Sequence, residues 1–212
     1  MVITDRPLLR GRDPVAVCRA AVLGGTTMIQ VRDKDAAPRD LIVLVRALVA
    51  ALPVPVLVND RVDVALAAGA AGAHLGQDDL PVGAVRPCVP RGFILGSSVG
   101  SAAEADRARP APADYWSLGP CFVTGSKSDA GSPLGAAGFA ALARLAPPGM
   151  PVIGIGGITA ANAPSILAAG AVGVAVIAAV LAAPDPETAA RALGSPAPAP
   201  SPGESRRGAP GS

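Results

Sequence analysis

Short apolar runs recur along the chain, separated by helical stretches or turns rich in Gly and Pro. In order they are VIT (2–4), MIQVR (28–32), VPVLVN (54–59), GAHL (72–75), FILGS (93–97), YWSLG (115–119), VIGIG (152–156) and GVAVI (173–177). Their Val, Ile and Leu content, with little apolar–polar alternation, predicts strands buried on both faces, as in a parallel sheet. Between them the pattern changes period. In PRDLIVLVRALVAAL (38–52), Leu41, Leu44, Val45 and Leu48 mark one helical face. In SAAEADRAR (101–109), Ser101 is placed as N-cap, with Glu104 at the capping-box position. Eight strands alternating with helices predict right-handed crossovers and, by the simplest closure, a single (β/α)8 TIM barrel over residues 1–194. A repeated AAGA-x-G-x before the fourth and eighth strands fits that arrangement.

Composition sets the outer limits. The chain has 212 residues, half of them hydrophobic, enough for one sizeable core. A formal net charge of +2 and 2% aromatics argue against a nucleic-acid partner, which needs positive charge and stacking faces. Cys18, Cys88 and Cys121 lie far apart, without disulfide or metal spacing, so a reduced cytoplasmic setting is expected. The start, MVITDRPLLRGRD, lacks the apolar core of a signal peptide. No charge falls between Arg144 and Asp185, a length that could span a bilayer. Pro151, Gly154, Gly156, Gly157, Asn162, Pro164, Gly170 and Gly173 divide it instead into strand, turn, short helix and strand, so no membrane partner is expected. The Pro/Ala/Gly/Ser-rich tail, 195–212, has too little apolar bulk to offset its ordering entropy and is expected to be disordered.

Chemistry in such barrels sits where strands hand over to the following loops. Strand two offers Gln30, Arg32 and Lys34; strand three Asn59 and Asp60; the loop after strand four His74, Gln77, Asp78 and Asp79. Strand five ends on Ser97 and Ser98, and the loop after strand six holds Thr124, Ser126 and Lys127. Strands seven and eight end on bare backbone. Fixed positive charge from Arg32, Lys34 and Lys127 suits a polyanion. Two carboxylates facing it suit Mg2+, a hard ion that prefers oxygen ligands and bridges to diphosphates. Gly156 and Gly157, with the end of strand eight, offer backbone N–H groups to a second phosphate.

Each motif has a plainer meaning in isolation. ND after a strand is ordinary turn chemistry, GQDDL can cap the next helix through Asp78, and QVRDK can be a solvated loop. His74, the only histidine, fits a packing or orienting role better than a catalytic one. Their common position, strand after strand on one barrel face, favours a site.

Together the motifs ITD, QVRDKD, LVNDRVDVAL, GAHLGQDDL, ILGSS, ADYWSLGPCFVTGSKSDAGSPLG and VIGIGGITAANAP resemble the thiamine phosphate synthase family, from Val2 to about Leu193. That resemblance implies a barrel enzyme that joins a hydroxymethylpyrimidine diphosphate to a thiazole phosphate, releasing pyrophosphate with Mg2+. By position, it implies Gln30, Val31, Arg32, Asp33, Lys34, Asn59, Ser98 and Lys127 at the pyrimidine diphosphate. It implies Thr124, Gly125, Ser126, Gly157, Ile177 and Ala178 at the thiazole phosphate, and Asp60 and Asp79 as metal ligands. Arg32, Lys34 and Lys127 would neutralise the leaving group. Its partners would be those small molecules, and a homo-oligomer is compatible with it. Ser126 stands where the family usually has Thr, Ala178 where it has Ser, and Val123 where it has Pro. Two other readings share the fold: a thiazole tautomerase-like isomerase, and a ligand-binding homologue without turnover.

Overall fold

The computed structural model describes residues 1–125 and 131–194. Among them eight strands follow in chain order: Val2–Ile3 (β1), Ile29–Val31 (β2), Val56–Asn59 (β3), Gly72–Leu75 (β4), Ile94–Val99 (β5), Tyr115–Leu118 (β6), Val152–Ile155 (β7) and Gly173–Ala175 (β8). The helices between and after them are Arg6–Leu9 (α1), Pro14–Leu23 (α2), Pro38–Ala51 (α3), Val62–Ala68 (α4), Val82–Val85 (α5), Ala102–Ala108 (α6), Gly135–Ala143 (α7), Ala163–Ala168 (α8), Ala178–Leu181 (α9) and Pro186–Gly194 (α10). Each strand pairs in parallel with the next. Val2 bridges Val176, just past β8, where Ile3 N–H donates to Val176 O at 2.9 Å and Val176 N–H to Met1 O at 3.1 Å. That bridge brings the sheet round into the expected (β/α)8 TIM barrel.

Most strands are a residue or two shorter than the apolar runs suggest, because pairing stops where the chain turns into a loop. β5 does the opposite: it runs past Ser97 to Val99 and carries Ser98 within the strand. The helix 38–52 forms as α3, burying Leu41, Val45 and Leu48 against the sheet while Leu44 is only part-buried. Burial of each such side chain contributes about 1.5–3 kcal/mol. At α6 the Ser101 hydroxyl accepts from Glu104 N–H at 3.3 Å. The Glu104 carboxylate reaches Gly100 N–H at 2.7 Å, one residue beyond the capping-box partner. The AAGA repeats make matching exits from α4 and α8. Ala70 N–H donates to Ala65 O, and Ala171 N–H to Ile166 O, before each chain enters the sheet.

Asp78 does not cap α5 as expected; Pro81 holds that position, and no side chain bonds the first turn. No helix of the described residues is long and apolar enough to cross a membrane, and the uncharged stretch divides into β7, α8, β8 and α9. All three cysteines are free, Cys88 alone exposed. The tail 195–212 lies outside the described residues.

Candidate active site

β1 and β2 build one wall of the barrel mouth. Thr4, 2% exposed, uses its hydroxyl twice on Arg32, accepting from its N–H at 2.9 Å and donating to its C=O at 3.2 Å. The Arg32 guanidinium lies 3.7 Å from the Asp5 carboxylate. Asp5 also caps α1, accepting from Leu8 N–H at 3.1 Å. ITD therefore fixes both the backbone and the charged end of Arg32. Gln30 points into the barrel, whereas the Val31 side chain is in the core between sheet and helices. Only the backbone of Val31 is available to a ligand. Asp33 accepts from Arg6 Nε at 2.6 Å and from the N–H groups of Asp35 and Ala36. Its carboxylate folds its own loop and leaves Lys34 exposed beside it.

The second wall is acidic. Asp60 follows β3 at a φ of 63°, a left-handed conformation uncommon outside glycine. Its N–H donates to His74 O on β4 at 2.8 Å, which fixes the turn. Asp79 folds back so that its carboxylate accepts from Gly76 N–H at 2.6 Å. The two half-buried carboxyl groups face each other within hydrogen-bonding reach. Burial, then the Asp79 contact and its charge, push the Asp60 carboxyl up to about 6, against the pull of Lys34 and Arg32. Two carboxylates forced together while partly dehydrated favour a proton, or a cation, between them. Among the described residues no group of three or more His, Cys, Asp and Glu side chains gathers to hold a metal. A pair of carboxylates with neighbouring cations suits a hard ion that takes its other ligands from a phosphorylated substrate and water.

Asn59 ends β3, paired in register with His74 on β4. Across the barrel floor, His74 Nε2 is 2.9 Å from Ser98 Oγ and Nδ1 is 2.9 Å from the Tyr115 hydroxyl. Gln77 Nε2 donates to Ser98 O.

The third wall is backbone. Cys121 and Phe122 N–H groups donate to Ile155 O at 2.7 Å and Gly156 O at 3.0 Å, tying the loop after β6 to the end of β7. Gly157, at a φ of 62°, packs so closely that a Cβ there would sit 2.4 Å from Val123 O. Asn162 Nδ2 holds Gly157 O at 3.0 Å, and its Oδ1 accepts from Thr159 N–H at 2.8 Å. Thr124 is half-buried in the facing loop, and Gly125 follows it, exposed. Ile177 and Ala178 start α9, whose first turn has no side-chain cap. Ser126 and Lys127 lie outside the described residues.

The loops after β2, β3 and β4 thus bring Arg32, Lys34, Asp60 and Asp79 together, while the glycine loop and α9 form a separate region. Thr4, Asp5, Tyr115 and Asn162 were not singled out from sequence as parts of the site. ITD and the five-residue interval from Gly157 to Asn162 were the available signals. Two clefts, of about 370 and 290 Å3, open at the opposite end of the barrel, against the strand amino ends. None of the sequence-expected site residues lines either one.

A family model described as thiamine monophosphate synthase matches residues 1–180. The thiamine-phosphate synthase of Roseiflexus sp. (strain RS-1) is 50% identical over 198 residues, covering 91% of this chain and 82% of that one. That of Methanoculleus marisnigri is 50% identical over 196 residues, covering 91% and 92%. The solved structure of thiamine phosphate pyrophosphorylase from Pyrococcus furiosus superposes with a TM-score of 0.81 at 37% identity, covering 91% of each chain.

Proposed function

Because the chain belongs to the thiamine monophosphate synthase family, we propose that its barrel mouth is the site where a hydroxymethylpyrimidine diphosphate and a thiazole phosphate become thiamine phosphate and pyrophosphate. The observation that carries this reading is the pairing of Asp60 with Asp79 beneath the positive field of Arg32 and Lys34. Bare carboxylates would repel a diphosphate; the same pair holding Mg2+ would attract one.

In this reading Asp60 and Asp79 hold the metal, which when bound supplies charge neutralisation at the diphosphate oxygens. Arg32, held by Thr4 and Asp5, and Lys34 bind those oxygens from the β2 side, and Lys127 supplies a third positive charge to them. Gln30, Asn59 and Ser98 supply hydrogen bonds to the same substrate, with backbone contacts at Val31 and Asp33. Pyrophosphate departs as the C–O bond breaks, and the aminopyrimidine ring delocalises the positive charge left on its methylene. The thiazole nitrogen then forms the new C–N bond. Its phosphate rests on the Gly157 loop, on Thr124, Gly125 and Ser126, and on the backbone at Ile177 and Ala178. No protein nucleophile takes part, so the chain contributes positioning and electrostatic stabilisation of the departing group.

A tautomerase would have no use for a diphosphate-facing acidic pair. The deciding assay follows thiamine phosphate and pyrophosphate together, omitting each substrate and Mg2+ in turn. Both products should appear only in the complete mixture. Thiazole isomerisation without pyrophosphate release would refute the reading.

A further inference from the structure

Four polar side chains interrupt the buried interior beneath the mouth: Gln30 on β2, His74 on β4, and Tyr115 and Ser117 on β6, at 2%, 6%, 7% and 3% exposure. They come from alternate strands, whose inward side chains stack in layers in such a barrel, and Tyr115 lies one layer below His74, its hydroxyl reaching up to the ring. Between them, β5 presents Gly96, in register with both His74 and Tyr115. A Cβ at that position would lie 2.2 Å from Tyr115 Cζ and 2.4 Å from His74 Nδ1. Gly96 therefore keeps open the lane in which the histidine and the phenol meet. Buried polar groups are costly unless bonded, so a cluster built this way calls for a role beyond packing.

We propose that Tyr115 and His74 form a directional hydrogen-bond chain that turns the Ser98 hydroxyl proton toward the mouth, making them positioning residues for the diphosphate-bearing substrate. This rests on the reading that Ser98 meets that substrate.

The direction follows from counting donors. Burial raises the Tyr115 phenol well above its usual range, so it keeps its one proton. Gln30 Nε2 is given to Met1 Sδ at 3.7 Å, and a buried phenol must place its O–H on a good acceptor or leave it unpaired. The phenol proton then goes to His74 Nδ1, 2.9 Å away. A neutral imidazole that accepts at Nδ1 carries its proton on Nε2. Nε2–H donates to Ser98 Oγ at 2.9 Å. Having accepted that bond, the serine has its own proton to offer a phosphoryl oxygen. With the opposite tautomer, Ser98 would give its proton to the imidazole and turn lone pairs toward the anion. Gln77, donating to Ser98 O, steadies the strand at that point.

His74 is the only histidine in the chain, so protein labelled with 15N-histidine gives a single pair of ring nitrogens. A long-range 1H–15N spectrum near about pH 8, where an ordinary imidazole is neutral, should show one tautomer, protonated on Nε2. Tyr115→Phe should mix the tautomers and raise KM for the pyrimidine diphosphate about tenfold, the scale of one hydrogen bond. KM for the thiazole phosphate should stay put. His74→Gln, whose amide can still donate to Ser98, should recover most of what His74→Leu loses. An Nδ1–H tautomer in the wild type, or a Tyr115→Phe protein with unchanged tautomer and KM, would overturn the proposal. If the Nε2–H tautomer is found but Ser98→Ala leaves KM for the pyrimidine diphosphate unchanged, the placement of Ser98 at the substrate is what fails, and the functional half falls with it.

Discussion

The carboxyl groups of Asp60 and Asp79 face each other within hydrogen-bonding reach although they leave different strands of the barrel. Asp60 is brought there by a left-handed turn after β3, and Asp79 by a loop that closes on Gly76 N–H. Such a contact stores repulsion that a proton or a cation relieves.

Replacing Asp60 with Asn tests that stored repulsion. The ordinary value of an aspartate here is 3.8 and the folded one about 6. Protonation thus favours the folded state, a contribution fully present below 3.8 and lost as pH rises through 6. Without metal, Asp60→Asn should gain stability on the order of 1 kcal/mol above that window, after allowing for solvent screening, and little below it. Denaturant titrations at both ends of the window check this. The same variant should lose the stabilisation that Mg2+ confers on the wild type.

Thr4 is a quieter test. Its hydroxyl, on a side chain only 2% exposed, serves both backbone groups of Arg32, and Thr4→Val removes that partner from both. A loss of about 1–3 kcal/mol in stability is expected. kcat/KM should fall with it, because Arg32 is no longer held against the diphosphate. A Thr4→Val enzyme with wild-type stability would contradict this account of the ITD motif.

Gly157→Ala addresses the other phosphate. The new Cβ would lie 2.4 Å from Val123 O, in a backbone conformation that L residues rarely adopt. The loops after β6 and β7 must then separate. KM for the thiazole phosphate should rise about tenfold or more while that for the pyrimidine diphosphate changes little, since a misplaced contact region costs on that scale.

Lys127→Ala should reduce pyrophosphate release about a hundredfold or more, the usual scale for losing one stabiliser of developing charge. Circular dichroism should show an intact fold. A fully active, Mg2+-dependent Lys127→Ala enzyme would remove this residue from the leaving-group site.

Much of this architecture was legible in the sequence because parallel strands buried on both faces leave uninterrupted runs of Val, Ile and Leu. The barrel can be counted from VIGIG and its counterparts alone. Strand ends were less legible, since apolar composition continues into the turn after pairing has stopped. Ser98 shows the reverse, a polar residue that stays in the ladder. Of the residues the proposed site uses, the charged ones stood out at or just after strand ends: Arg32, Asp60 and Asp79. Their supports did not. Thr4 and Asn162 act through backbone groups, and Tyr115 through a histidine two strands away, so no local pattern marks them. Asp78 was misplaced as a helix cap because GQDDL offers two adjacent carboxylates, and only the folded loop shows which one turns back.

The central claim is that the acidic pair holds a metal for a diphosphate. A crystal structure of the protein with Mg2+ and pyrophosphate measures it directly. The account predicts one cation bound to both Asp60 and Asp79, with pyrophosphate oxygens completing its shell beside Arg32 and Lys34. Pyrophosphate bound elsewhere, with no cation between the two carboxyl groups, would contradict it.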